Sequence, residues 1–440
     1  MSSSNVGDPV VTADSTVAVA PAPVERVARR GGRYEFLDAL RGLAAFAVVI
    51  QHVSERLFPA YFRFSQAYFG LGEFGVFVFF LVSGFIIPAS MERGRSLGQF
   101  WVGRFFRLYP LFWACLTAAM LLYSVNQFGL RASYLEHSVR NFLANLTMVQ
   151  FFLGGENILI IGASWSLAYE LVFYLFLSLL LIAGLNRKSV PLAVLAVALI
   201  IPGAFLPVAM VTGAGANAGT RTAVVVLTIV VAMVFATLAS NRRMALTAIG
   251  LAFLTVPLVL NQPGASAMTF GYFATMFVGT VLYRITSGEI AAWRGWAVFG
   301  FAIGLIFFVS TFLQPTLDPI TGVWITWVKQ PLTIIPAYLF FAAFLFLRRY
   351  SFPQPLLYLG RISYSLYLVH ALVLDFPRWH SSVLGVPPQW LTLLTLVTAA
   401  LVIAAVTYRV IEQPCHNYGH RVIKRMEARK RAEPAPVTTG

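Results

Sequence analysis

Apolar segments of spanning length recur along almost the whole chain, and this repetition limits the fold more than any other feature. They run approximately 36–53, 70–90, 106–124, 164–183, 190–211, 221–239, 244–260, 267–284, 296–313, 331–347, 358–376 and 389–411. A helix of roughly 20 apolar residues crosses the hydrocarbon of a bilayer, where each backbone must satisfy its own hydrogen bonds. The pattern therefore predicts an all-α, polytopic integral membrane bundle of about 10–12 transmembrane helices. Only 11% of the 440 residues are charged, against 58% hydrophobic, which argues against a soluble enzyme. The formal charge of +15 is scattered in short clusters between apolar runs, so it reads as membrane topology and not as a nucleic-acid surface.

Twelve spans put both termini on one side. With the N-terminus cytoplasmic, seven of the 32 Lys and Arg residues fall outside (Arg56, Arg63, Arg131, Arg140, Arg221, Lys329 and Arg378). Arg41 and Arg409 lie within spans, and the rest fall inside, as the positive-inside rule requires. Residues 1–33 read as a disordered cytoplasmic arm, 34–416 as the membrane domain and 417–440 as a basic cytoplasmic tail. The outer connection 125–163 carries enough aromatic and aliphatic residues to predict a packed cap. Cys115 and Cys415 have no metal-type spacing and no reason to pair, and no metal site is expected.

Ionisable groups inside spans are costly, so each is a functional candidate. Arg41 and His52 are eleven residues apart in the first span, close to three helical turns, and share a face about 16 Å apart along the axis. The bland alternatives are that each reaches its nearer interface, or that Asp38, one turn before Arg41, simply neutralises it. Glu170 opens the oppositely directed fourth span and is expected about 9 Å below the outer surface. If the two helices are neighbours, its carboxylate can meet His52 and tune it as a general base, although a structural pair that merely locks two helices fits equally well. Ser83 and Gly84 fall at the depth of Arg41, where small residues suit either a ligand or close helix packing. Arg104 and Arg107 share a face and suit the phosphates of an anionic cofactor, or lipid headgroups. Ser363, Tyr367 and His370 form a polar stripe in the eleventh span, read as substrate-positioning. Tyr408, Arg409 and Glu412 read as local pairing and interface anchoring, and His137, His380, His416 and His420 fall in predicted loops with no role.

The segments Leu37-Asp-Ala-Leu-Arg-Gly-Leu-Ala-Ala, Phe80-Leu-Val-Ser-Gly-Phe85, Arg104-x-x-Arg107-Leu-Tyr-Pro, Trp165-Ser-Leu-Ala-Tyr-Glu170, Gly360-Arg-Ile-Ser-Tyr-Ser-Leu-Tyr-Leu-Val-His370 and Tyr408-Arg-Val-Ile-Glu-Gln-Pro414 occur in this order. As a set they resemble the acyltransferase 3 membrane O-acyltransferases, typified by bacterial O-antigen and polysaccharide O-acetylases. The resemblance implies His52 as the catalytic histidine, Arg41 as its partner and Glu170 as an essential acid. It implies Arg104 and Arg107, with Ser83 nearby, for the acyl donor, and Trp165 in the motif around Glu170 as a positioning residue. No cofactor would be held permanently. Acetyl-CoA or another acyl-CoA is the expected donor, and a glycan, lipid-linked sugar or small molecule the expected hydroxyl acceptor, in a bacterial inner membrane. The family commonly has about ten spans, so the region 221–260 is where the two counts would differ. A multi-span transporter or flippase is the competing class.

Overall fold

The computed structural model describes residues 34–92, 96–124, 138–154, 159–205, 218–260, 266–313, 326–375 and 388–432. The expected N-terminal arm, His137 and His380 lie outside them. From Glu35 onward the chain forms one compact unit. The helices are α1 (Glu35–Leu57), α2 (Pro59–Ala67), α3 (Leu71–Met91), α4 (Leu97–Ser124), α5 (Ser138–Leu146), α6 (Gln150–Gly154), α7 (Trp165–Ile182), α8 (Ser189–Ala198) and α9 (Ile200–Phe205). They continue with α10 (Ala218–Ala239), α11 (Arg242–Leu260), α12 (Ser266–Thr286), α13 (Ala292–Phe308), α14 (Thr326–Phe346), α15 (Gln354–Arg361), α16 (Ser363–Leu374), α17 (Gln389–Thr407) and α18 (Gln413–Ala432). No strand occurs among the described residues. The protein is an all-α, multi-pass membrane bundle.

Seven spans among the described residues are long and apolar enough to cross a membrane, or eight if the bent pair α15–α16 counts as one. This is fewer than the twelve expected segments, and two differences have clear causes. Segment 190–211 is not one helix: α8 stops at Ala198, and Pro202 in α9 has no N–H to give that residue's carbonyl and crowds it. Segment 358–376 bends by 66° between α15 and α16. The boundary expected at 416/417 falls inside α18, which packs along α4.

α3 is the central element, packed along α1, α12 and α14. Val76, Phe77, Val78, Phe80, Leu81, Val82 and Phe85 are all buried, so the helix is apolar around its whole circumference. Between α3 and α12 the backbones touch. A Cβ on Gly84 would strike the carbonyl of Met276, and Thr280 Oγ1 donates to Gly84 O at 3.0 Å. Gly84 is therefore a packing residue, which decides between its two sequence readings.

Polar clamps close both ends. At one end Arg284, 1% exposed, donates to both oxygens of Glu92, to Glu289 Oε2 at 2.8 Å and to Ser189 Oγ at 3.1 Å. Asn186 Nδ2 donates to Glu92 Oε1 at 2.7 Å. These are loop ends that the charge rule assigns to one side. At the other end Arg56 pairs with Asp375 and caps the Leu374 carbonyl, and Lys329 pairs with Glu73 at 2.8 Å.

Burial alone would raise the Glu92 carboxyl, but hydrogen bonds from Arg284 and Asn186 outweigh it and hold the group below the usual carboxylate range. A depressed group contributes stability above its unfolded value, lost as pH falls through the folded one. Glu92→Gln is expected to cost about 3 kcal/mol at neutral pH. In thermal melts of the detergent-solubilised protein, the gap between wild type and variant should close as pH drops below about 4. A gap constant with pH would refute the ionic clamp.

Candidate active site

The side chains that matter converge on a cavity between α1, α3, α4, α7 and α16. It encloses about 680 Å³ of unfilled space, its mouth included. Arg41, Ser83, Arg104, Arg107, Ser166, Glu170, Ser363, Tyr364 and Tyr367 supply its polar lining. Each reaches it for a local reason. Arg41 and His52 do lie on one stripe of α1. Arg104 and Arg107, one turn apart, face inward from α4, and the guanidinium of Arg104 stands over the rings of Phe100 (5.3 Å) and Tyr174 (5.5 Å). Its Nη2 donates to Ser90 Oγ at 3.2 Å. Ser83 donates to Glu170 Oε1 at 2.9 Å, and Tyr174, one turn below on α7, donates to the same oxygen. Arg41, Arg104 and Arg107 thus share this cavity with the Glu170 carboxylate, while Asp38 and Glu412 also act on Arg41, and a guanidinium cluster of this kind can take an anion.

The bend at Ile362 aims α16 into this space. Tyr367 hydroxyl bonds Ser166 Oγ at 2.8 Å and its ring packs on Phe79 at 5.6 Å, closing the cavity on that side. Beyond it the Tyr367 ring meets His370 at 5.9 Å, and His370 stacks on His52 at 5.3 Å. Both imidazoles turn Nδ1 to the carbonyl four residues earlier, Val48 at 2.9 Å and Leu366 at 3.2 Å. A carbonyl only accepts, so in the neutral rings Nδ1 carries the proton and Nε2 the lone pair. His370 is buried, whereas His52 is exposed at the polar end of α1, beside Glu55, Arg56 and Asp375.

The expected meeting of His52 and Glu170 is not what the structure places. Glu170 belongs to the Arg41 cavity, and Tyr367 and His370 intervene before His52. Among its described residues the cap is packed as expected: Gln150 Nε2 donates to the buried Ser164 Oγ at 2.8 Å, Asn145 Oδ1 accepts from Ile160 N at 3.2 Å, and Tyr109, only two residues past Arg107, donates to Thr147 O at 3.1 Å. Trp165 is also displaced: it sits among Phe80, Phe151, Tyr169 and Tyr272 and does not line the cavity.

Other contributors escaped the sequence reading. Tyr174 was detectable as the i+4 neighbour of Glu170. Glu412 is buried and accepts from Ser365 Oγ at 2.6 Å, because a π turn at Tyr408–Glu412 rotates it inward. His416 and His420 are on helix α18 and not in a loop; with Ser90, Arg104 and Arg107 they line a second cavity.

Residues 34–409 match the family described as the acyltransferase domain. The chain belongs to this family. Over 150 residues it is also 33% identical to acyltransferase MdmB of Streptomyces mycarofaciens, covering 32% of this chain and 38% of that relative's length. No solved structure matches. In this acyltransferase Glu170→Gln should lower kcat/KM for the acyl donor about tenfold, through the loosened Tyr174 and Ser83 bonds. The pH midpoint of kcat/KM should stay at its wild-type value. A shift of about one unit would put the carboxylate against His52 after all.

Proposed function

We propose that the protein is a membrane O-acyltransferase that moves an acyl group, acetyl in the simplest case, from cytoplasmic acyl-CoA to a hydroxyl of a cell-surface glycan or related acceptor. It would reside in a bacterial plasma (inner) membrane with both termini cytoplasmic. The observation that carries this reading is a row of polar side chains inside a family of acyltransferases: an arginine-rich cavity ends at Tyr367, and stacked imidazoles stand behind it, the outer one exposed. An anionic thioester suits the first end and a neutral hydroxyl acceptor the second. Ser363 supports the donor assignment too. Its hydroxyl lines the cavity, is fully buried and lacks a hydrogen-bond partner among the described residues, a deficit that a ligand would remove.

In this mechanism Arg104 and Arg107 hold the donor's phosphates, Arg41 the polar part of its arm, and the thioester passes Tyr367 to reach the histidines. The about 16 Å between Arg41 and His52 is then the length that arm must cover. His52 Nε2 takes the proton from the acceptor hydroxyl as its oxygen attacks the thioester carbonyl. The tetrahedral intermediate expels the thiolate, the carbon–sulfur bond breaks, and the imidazolium returns the proton to sulfur. His370 holds the His52 ring by stacking. Glu170 acts on the donor side, through Ser83 and Tyr174, and not on the base.

Loss of a positioned general base costs about 10²–10⁴-fold. Cells carrying His52→Ala at wild-type abundance should therefore lose the acetyl mass increment on their surface glycans. Purified variant should also release thiol from acetyl-CoA no faster than buffer. A variant that keeps full transfer would remove His52 from the chemistry.

A further inference from the structure

The second cavity extends the site beyond the arginines. It holds about 380 Å³, its mouth included, and lies between α3, α4 and α18. Arg104 and Arg107 border both cavities, so their guanidinium groups form the wall or gateway between them. On the far side stand His416 and His420, one turn apart on α18, with ring centroids 4.5 Å from each other. Ser90 and the Phe100 ring complete the polar and aromatic lining, and no carboxylate lines it among the described residues. The position of α18 depends on Gly419, between the two imidazoles in sequence. A Cβ there would come within 2.7 Å of Phe106 Cβ, so only glycine lets α18 lie this close to α4. Ile423 packs into the same cavity wall, and Tyr418 meets Phe106 at 5.3 Å. The exposed face of α18 adds Arg421, Lys424, Arg425 and Arg429.

We propose that this cavity is the vestibule for the nucleotide end of the acyl donor, and that His416 and His420 are positioning residues for its phosphate groups. The inference rests on the acyl-CoA reading above. The chemistry is that of a polyphosphate: two guanidinium groups for charge-assisted, forked hydrogen bonds, two imidazoles as further N–H donors, and a hydroxyl. The cavity's place beside the arginines fits a long donor. Phosphates held in the vestibule leave the uncharged arm to run past Arg41 into the larger cavity.

The test is binding, so it needs no acceptor. Full-length protein in neutral-lipid nanodiscs is titrated with coenzyme A, dephospho-coenzyme A and pantetheine. The paired variant His416→Gln, His420→Gln should weaken coenzyme A about tenfold, weaken dephospho-coenzyme A less, and leave pantetheine unchanged. Because His416 is half-buried and His420 exposed, the variant should fold, and an unaltered melting temperature without ligand checks this. Equal weakening of pantetheine would mark a merely structural role and overturn the proposal, as would unchanged coenzyme A affinity. Loss of bound phosphatidylglycerol from the variant in anionic nanodiscs, with coenzyme A affinity intact, would assign the vestibule to lipid headgroups instead. Wild type that does not bind coenzyme A would also overturn it. The acyltransferase reading then stands or falls separately, on the His52→Ala glycan measurement.

Discussion

Cations are costly inside an apolar bundle, and the rest of this structure is arranged around three of them. Arg41, Arg104 and Arg107 cannot be left facing packed hydrocarbon, because an uncompensated guanidinium there costs several kcal/mol. The protein's solution is a cavity. Arg104 rests on two aromatic faces and one serine, Glu170 supplies the single lining carboxylate, and Glu412 stands close behind. The bonds of Glu170 go to Ser83 and Tyr174, so the carboxylate is held by hydroxyls instead of being consumed in a forked pair with one arginine. Asp38, one turn from Arg41, and Glu412 add to the compensation of these guanidinium groups.

Much of this was legible in the residues. Period and length decided the all-helical membrane class, since runs of about 20 apolar residues have few other stable outcomes. The eleven-residue spacing put Arg41 and His52 on one stripe, and the spacing of four from Ser363 to Tyr367 put both on the cavity. Neighbours were less legible. Helical periodicity reports which face a residue occupies, but which side chains Glu170 meets depends on long-range packing, here the bond from Ser83 on another helix. Local irregularity was also hidden. Nothing in Gly360-Arg-Ile-Ser marks a 66° bend, and nothing in Tyr408-Arg-Val-Ile-Glu marks a π turn. The role of α18 stayed hidden because a helix with so many charges reads as a solvated tail unless its neighbour is known.

Those two irregularities have a common consequence. The bend frees α16 from the direction of α15, whose Gly360 is pressed against the backbone of Asp38 on α1. α15 is thereby fixed to the lower part of α1, while α16 inclines so that Ser363 and Tyr367 meet the cavity and His370 meets His52. The π turn rotates Glu412 onto Ser365, one residue from the Tyr364 that donates to the Leu108 carbonyl. π turns and bent helices recur where side chains must be aimed against the regular periodicity. Here they aim two helices at one space.

The placement of Tyr367 then gives the arrangement its logic as chemistry. If the arginine cavity opened directly onto His52, water reaching the exposed imidazole would also reach a bound thioester, and hydrolysis would compete with transfer. Tyr367 stands between them, tied to Ser166 and backed by Phe79, so it separates the arginine cavity from the imidazoles. On the proposed reading, one tyrosine side chain must move for transfer to occur, and the hydrogen bond it gives up to Ser166 is of ordinary strength, about 1 kcal/mol net. Such a partition is cheap to open for a donor already anchored by several charge-assisted bonds. Separation of the cations from the imidazoles, which removes the expected contact between Glu170 and His52, is therefore consistent with acyl transfer across the bundle.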